Sequence, residues 1–176
     1  MAMLDHIYFI VTGAGTARRA PEILSRLIEI GPKVIVITTP NAARIVAHRE
    51  LALVIQGKPP HQIVEGYFDE GIVPRPPHGL VLVAPCSFDS LNKLGLGIAD
   101  NLALSVVAEA IGRQTPVIVG VSVNVPLWVH PQAKKSTATL RSWGVDVLDP
   151  VAEGETVVLA STDTLIESVK RHLKDS

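Results

Sequence analysis

The chain has 176 residues, enough for one domain (1–176) that buries roughly 70% of its unfolded surface without a disulfide or metal staple. A net charge of −1 excludes a protein that holds nucleic acid by displacing counterions, and the lone Cys86 excludes an internal disulfide and suits a reducing cytoplasm. No apolar run reaches membrane-spanning length, and 47% hydrophobic against 19% charged residues places the apolar excess in a thick parallel sheet or an oligomer interface.

Met1–His6 is too short and polar for a signal peptide. Ile7–Val11 is a β-branched and aromatic run that stops at Thr12-Gly13-Ala14-Gly15-Thr16. Apolar residues then recur at helical spacing between Ala17 and Ile30, and Gly31-Pro32 ends that helix. Val34–Ile37 reads as a second buried strand, followed by Thr39 as N-cap and Pro40 in the first turn of a helix through His48. Gln56–Gly79 is a turn-rich excursion with five prolines. Leu80–Ala84 is the clearest strand, and a helical pattern from Phe88 to Ile111 follows, with a break expected near Gly95 and Gly97. Pro116–Val123 (strand), Ala133–Trp143 (helix), Val145–Leu148 and Val157–Leu159 (strands) and Thr162–Leu173 (helix) complete the pattern.

Strands alternating with helices predict an α/β fold with a doubly wound parallel sheet, a Rossmann- or flavodoxin-like three-layer sandwich. Ligands of such sheets sit beyond the carboxyl ends of the strands. Those ends are Thr12–Thr16, Thr38-Thr39, Pro85–Ser90 and Ser122–Trp128, all rich in glycine, hydroxyl or amide groups, which suits an anionic, ring-bearing ligand. Gly13, Gly15 and Thr16 open a helix whose first amides can hold a phosphate. A dinucleotide fingerprint is not met: Arg18 stands where the third glycine belongs, and Thr38-Thr39 replace the acidic residue that would bind a ribose. The histidines show no metal-ligand spacing, so no metal site is predicted. Cys86 has no neighbouring charge that would lower its pKa, and reads as a small buried residue rather than a nucleophile.

Ala84-Pro85-Cys86-Ser87-Phe88-Asp89-Ser90-Leu91-Asn92-Lys93-Leu94, continuing to Gly97-Ile98-Ala99-Asp100-Asn101-Leu102, resembles the signature of the homo-oligomeric flavin-containing cysteine decarboxylases. Val121–Trp128 resembles that family's P-x-M-N-x-x-M-W segment, with Asn124 and Trp128 in register. The resemblance runs from Ile7 to about Pro150. It implies an FMN-binding, decarboxylase-like lyase acting on a small-molecule or peptidyl carboxylate, assembled as a homotrimer or dodecamer with flavin at the subunit interface. It also implies that Pro85, Cys86 and Ser87 line the flavin, with Ala99, Asp100 and Asn101 nearby, and that Asn124 binds the substrate carboxylate. Thr39 joins the flavin site as a strand end, Asp89 stands at a ligand-contacting position, and Trp128 is either a wall of that site or a core or interface aromatic. Phe88 and Asp89 depart from the alanine and asparagine that are usual there. Gly71-Ile72-Val73-Pro74 stands where the family carries its catalytic histidine, which leaves His78, or His61, as the candidate. A flavin prenyltransferase is the alternative, on Pro85-Cys86-Ser87 and Asn124-Val125-Pro126-Leu127, as is a flavin-binding subunit without catalysis.

Overall fold

A computed structural model describes residues 4–67, 69 and 79–174. Six strands form one parallel sheet: β1 (His6–Val11), β2 (Lys33–Thr38), β3 (Gln62–Val64), β4 (Leu80–Cys86), β5 (Val117–Val121) and β6 (Asp146–Leu148). Their order is β3-β2-β1-β4-β5-β6. The chain therefore winds outward from β1 to one edge, returns to the middle, and winds outward again from β4, which is the doubly wound Rossmann order.

Both faces of the sheet are covered, as its near-continuous apolar strands require. Successive side chains of β1 alternate between two cores. Ile7, Phe9 and Val11 face one, and Tyr8 and Ile10 the other. The first core is closed by α1 (Ala20–Ile28), α2 (His48–Ile55) and, at the chain's end, α7 (Thr162–Lys174), through Ile23, Leu24, Leu51 and Leu165. The second is closed by α3 (Phe88–Gly95), α4 (Leu102–Gly112) and α6 (Pro131–Ser142), through Leu91, Leu104, Val107 and Leu140. Each fully buried side chain of this size contributes about 1.5–3 kcal/mol, so the two cores dominate stability.

Several elements differ from expectation. Thr39 does cap a turn, accepting from the Ala42 N–H at 3.3 Å. That turn is a short 3-10 segment (Ala42–Arg44), however, and the helix proper starts at His48. The chain extends at Ala47, whose N–H donates to the Glu50 carboxylate at 3.2 Å. His48 then bridges Thr38 (2.7 Å) and Glu65 (3.1 Å), tying α2 to the ends of β2 and β3. The long helical pattern from Phe88 breaks where expected: Gly97 takes φ +71°, and Asn101 recaps the chain by accepting from the Leu104 N–H. The strand expected at Val157–Leu159 does not join the sheet. β7 (Val151–Glu153) and β8 (Thr156–Val158) pair antiparallel as a separate hairpin, turned at Gly154 with φ +61°. A four-residue helix, α5 (Val125–Trp128), fills the connection after β5.

α3 packs closely on α6 at Gly95. A Cβ on Gly95 would lie 2.7 Å from the Ser136 Cβ and 2.8 Å from its Cα. Beside it the buried Ser136 hydroxyl donates to Asn92 (2.8 Å) and accepts from Gln132 (3.1 Å). Gly95→Ala is expected to destabilise the fold, because overpacking costs about 1–3 kcal/mol. That exceeds the roughly 1 kcal/mol alanine gains over glycine in a helix. Urea unfolding of the two proteins measures the difference.

Candidate functional site

β1 and β4 lie side by side, yet the chain leaves them towards opposite edges of the sheet. A crevice opens between their departing loops. Thr12, fully buried, closes its floor. Its N–H (3.2 Å) and hydroxyl (2.8 Å) both donate to the Pro85 carbonyl, and the hydroxyl accepts from the Ser87 N–H at 2.8 Å. One hydroxyl thus joins the loop after β1 to that after β4. On the far side, Thr16 and Ser122 share a 2.6 Å hydroxyl–hydroxyl bond, and the Ser122 N–H donates to the Cys86 carbonyl. The loop after β2 seats on the first loop so closely that a Cβ on Gly13 would lie 2.5 Å from that of Asn41.

Two adjoining chambers result. The larger, about 550 Å³, is bounded by Gly13–Thr16, Ser122–Asn124 and the inner edge of the β7–β8 hairpin. The smaller, about 150 Å³, is bounded by Thr39, Ser90, Lys93, Asp100 and Asn101. Gly13, Asn41, Ser87 and Asp89 line both. The larger volume falls within the ~300–1,000 Å³ of small-molecule sites.

Much of the polar lining is already committed. The Ser87 hydroxyl caps α3 by accepting from the Ser90 N–H, and the Asn101 Oδ1 caps α4. Asn124 Oδ1 accepts from the Leu127 N–H at 3.0 Å, so its two amide N–H donors are the ones left for a ligand. Lys93 bridges Asp89 (3.2 Å) and Asp100 (2.8 Å). Hydrogen bonds to Asp100 and Asp89 raise the Lys93 ammonium above its ordinary range, and Lys93 in turn holds the Asp100 carboxyl low.

Of the residues expected at the site, Gly13, Gly15, Thr16, Thr39, Ser87, Asp89, Asp100, Asn101 and Asn124 line a chamber. Others do not. Cys86 points into the core beneath α3 and α4, fully buried, and Pro85 contributes its carbonyl to Thr12 rather than a surface. The pairing of β4 with β5 shifts register between Val83 and Cys86, which puts Cys86 in the same core as Val81 and Val83, while Ser87 lies past the strand as the N-cap of α3 and lines both chambers. Ala99 is exposed on the loop before α4, and Trp128 packs half-buried against the core. His61 accepts from the Val34 N–H at 3.0 Å at the amino end of β2, at the opposite end of the strands from the crevice. Burial, with Lys58 and Lys33, lowers its pKa. His78 and Gly71–Pro74 lie outside the described residues. Asn41 and Thr156–Val158 line the crevice without having been expected there. Asn41 carried a signal in its place two residues beyond Thr39, whereas the hairpin read as another sheet strand.

The model of the family described as Flavoprotein matches residues 3–174. The chain belongs to the Flavoprotein family. This flavoprotein is 31% identical over 147 residues to the coenzyme A biosynthesis bifunctional protein CoaBC of Mycobacterium tuberculosis, covering 80% of this chain and 33% of that protein. It therefore spans about a third of the length of those relatives. It is 27% identical over 138 residues to phosphopantothenoylcysteine decarboxylase of Mus musculus, covering 76% of this chain and 67% of that protein. The solved FMN-dependent cysteine decarboxylase TvaF, from thioviridamide biosynthesis, shares the fold, with a TM-score of 0.75 at 20% identity over 96% of this chain and 98% of that one. Among the described residues of this flavoprotein, no helix is long and apolar enough to cross a membrane.

The crevice suits the family's cofactor. A chamber of about 550 Å³ opens at the strand ends, lined by Gly13–Thr16 and Ser122–Asn124, and uncommitted amide donors remain at Asn124. Removing the Thr12 hydroxyl would leave the Ser87 N–H without its acceptor, so Thr12→Val is expected to cost about 1–3 kcal/mol, read as a lowered urea midpoint. Burial first, then the charge of Asp89, pushes the Cys86 thiol far above its ordinary range. Iodoacetamide at pH 8 is expected to leave Cys86 unmodified in the native flavoprotein and to alkylate it once denatured, as mass spectrometry would show.

Proposed function

We propose that this flavoprotein binds FMN in the crevice between β1 and β4 and catalyses the oxidative decarboxylation of a cysteinyl carboxylate. The observation that carries the reading is the pair of adjoining chambers at the sheet's switch point, in a chain whose relatives include phosphopantothenoylcysteine decarboxylase. FMN is the flavin named for the structural neighbour TvaF.

Bound flavin would supply the two-electron oxidation of the carbon bearing the substrate's thiol, after which the carboxylate leaves as carbon dioxide. The protein's part is to bind and orient. The uncommitted amide N–H groups of Asn124 offer donors to the substrate carboxylate, held by the cap that fixes the side chain's other end. Phe88 forms part of the larger chamber's wall, its ring braced edge-on by His130 at 5.3 Å. The β7–β8 hairpin closes one side of that chamber with Val157 and Val158, limiting the water that reaches it. Cys86 takes no part, since it reaches neither chamber. Exposed Leu96, Ile98, Val125 and Val129 provide apolar surface for the homotrimeric or dodecameric assembly that this reading includes.

Purified protein titrated with FMN is expected to quench flavin fluorescence, and the complex to release carbon dioxide from phosphopantothenoylcysteine or a peptide ending in cysteine. Asn124→Ala is expected to lower kcat/KM about ten- to hundredfold, the ~1.5–3 kcal/mol of a hydrogen bond to a charged group, with FMN affinity retained. FMN binding without carbon dioxide release from either substrate would leave a flavin-binding subunit and overturn the decarboxylase reading.

A further inference from the structure

We propose that Asn41 is a flavin-binding residue that recognises the polyhydroxy chain joining ring and phosphate. The inference rests on the reading that FMN occupies the crevice. A ligand that fills both chambers must cross their common wall, which consists of Gly13, Asn41, Ser87 and Asp89. At about 150 Å³ the smaller chamber is well below the usual volume of a site for a whole drug-sized molecule, so such a ligand extends through both. In FMN the polar chain lies between the ring and the phosphate, so it crosses that wall whichever end the ring occupies.

Of the four residues at the wall, three have little to offer as side-chain donors. Gly13 has no side chain. Ser87 is bound to both Ser90 N and Ser90 Oγ, and its hydroxyl hydrogen is directed to the latter at 3.2 Å. Asp89 is an acceptor tied to Lys93. Asn41 differs on each count. Its carboxamide is exposed and has no side-chain hydrogen-bond partner among the described residues, so both its donors and its acceptor are available. Its position is set by the backbone: the Gly13 contact pins its Cβ from below, and its own carbonyl accepts from the Arg44 N–H in the turn it begins. A polar side chain held at the waist of the cavity with its hydrogen bonds unmade is suited to bind hydroxyl groups, which donate and accept in turn. Asp89 can accept from the same chain, which gives the carboxylate at this position a use.

Asn41→Ala is tested by fluorescence titration with FMN, riboflavin and lumiflavin, the last lacking the polyhydroxy chain. The affinity for FMN and for riboflavin is expected to fall by the same factor, about five- to tenfold, the worth of one or two ordinary hydrogen bonds. Lumiflavin affinity is expected to change less than twofold, and the thermal midpoint of the ligand-free protein to stay put, because the side chain makes no contact that stabilises the fold. Unchanged FMN affinity in the variant overturns the assignment, and so does a loss confined to FMN, which would place Asn41 on the phosphate. An equal loss for lumiflavin would place it on the ring and also overturn it. A wild-type protein that binds none of the three flavins would instead refute the FMN reading itself.

Discussion

Two strands separated along the chain by α1, β2, α2 and β3 meet edge to edge at the centre of this molecule, and a single threonine hydroxyl holds their diverging ends in register. Thr12 and Pro85 are 73 positions apart, and the hydroxyl bond between them is buried, where an unmade one is costly; the bond from the Ser87 N–H is part-buried. The other parts of the crevice are placed relative to this join. Gly13–Thr16 leaves it on one side and Ser87 starts α3 on the other. Asn41 reaches over Gly13 from the neighbouring strand, and Ser122 meets Thr16 from β5.

The polar residues at the strand ends serve the fold before they serve a ligand. Thr39, Ser87, Asn101 and Asn124 each accept a backbone N–H and so begin a turn or helix. Capping of this kind is worth about 1 kcal/mol apiece. It also determines what a ligand meets, since an asparagine that caps through Oδ1 presents only its donors. The charged cluster at the smaller chamber follows the same logic: Lys93 is held between Asp89 and Asp100, and its bridge joins α3 to the loop that leads into α4. Exposed pairs of this sort contribute little to stability, so the bridge matters for the charge it leaves at the wall.

Much of the sheet was legible in advance, because a parallel strand buried on both faces is a continuous β-branched run, as Ile7–Val11 and Leu80–Ala84 are. The break between α3 and α4 was legible too, from Gly95 and Gly97. The helix expected from Thr39 was not found. Its capping chemistry was correct, but the chain unwinds at Ala47 and restarts under a cap supplied by Glu50, and alanine carries no capping signal. β3 was hidden in a proline-rich stretch, where three residues suffice to pair with β2. Val157 and Val158 looked like sheet because β-branched residues suit any strand; the turn at Gly154 pairs them with Val151 and Ala152 instead.

By itself, the sequence determined the α/β class, the glycine loop after the first strand and the motif by which the chain resembles flavin-containing decarboxylases, since each is a local pattern of residue types. Only the tertiary structure decided which of the motif's residues reach the crevice. A shift of register at the end of β4 turns Cys86 into the core with Val81 and Val83, while Ser87, the first residue past the strand, caps α3 and meets the cavity. It was likewise the packing of one loop upon another that brought Asn41 to the waist of the site, because a contact between Gly13 and a residue 28 positions later is a property of strand order, not of either segment alone.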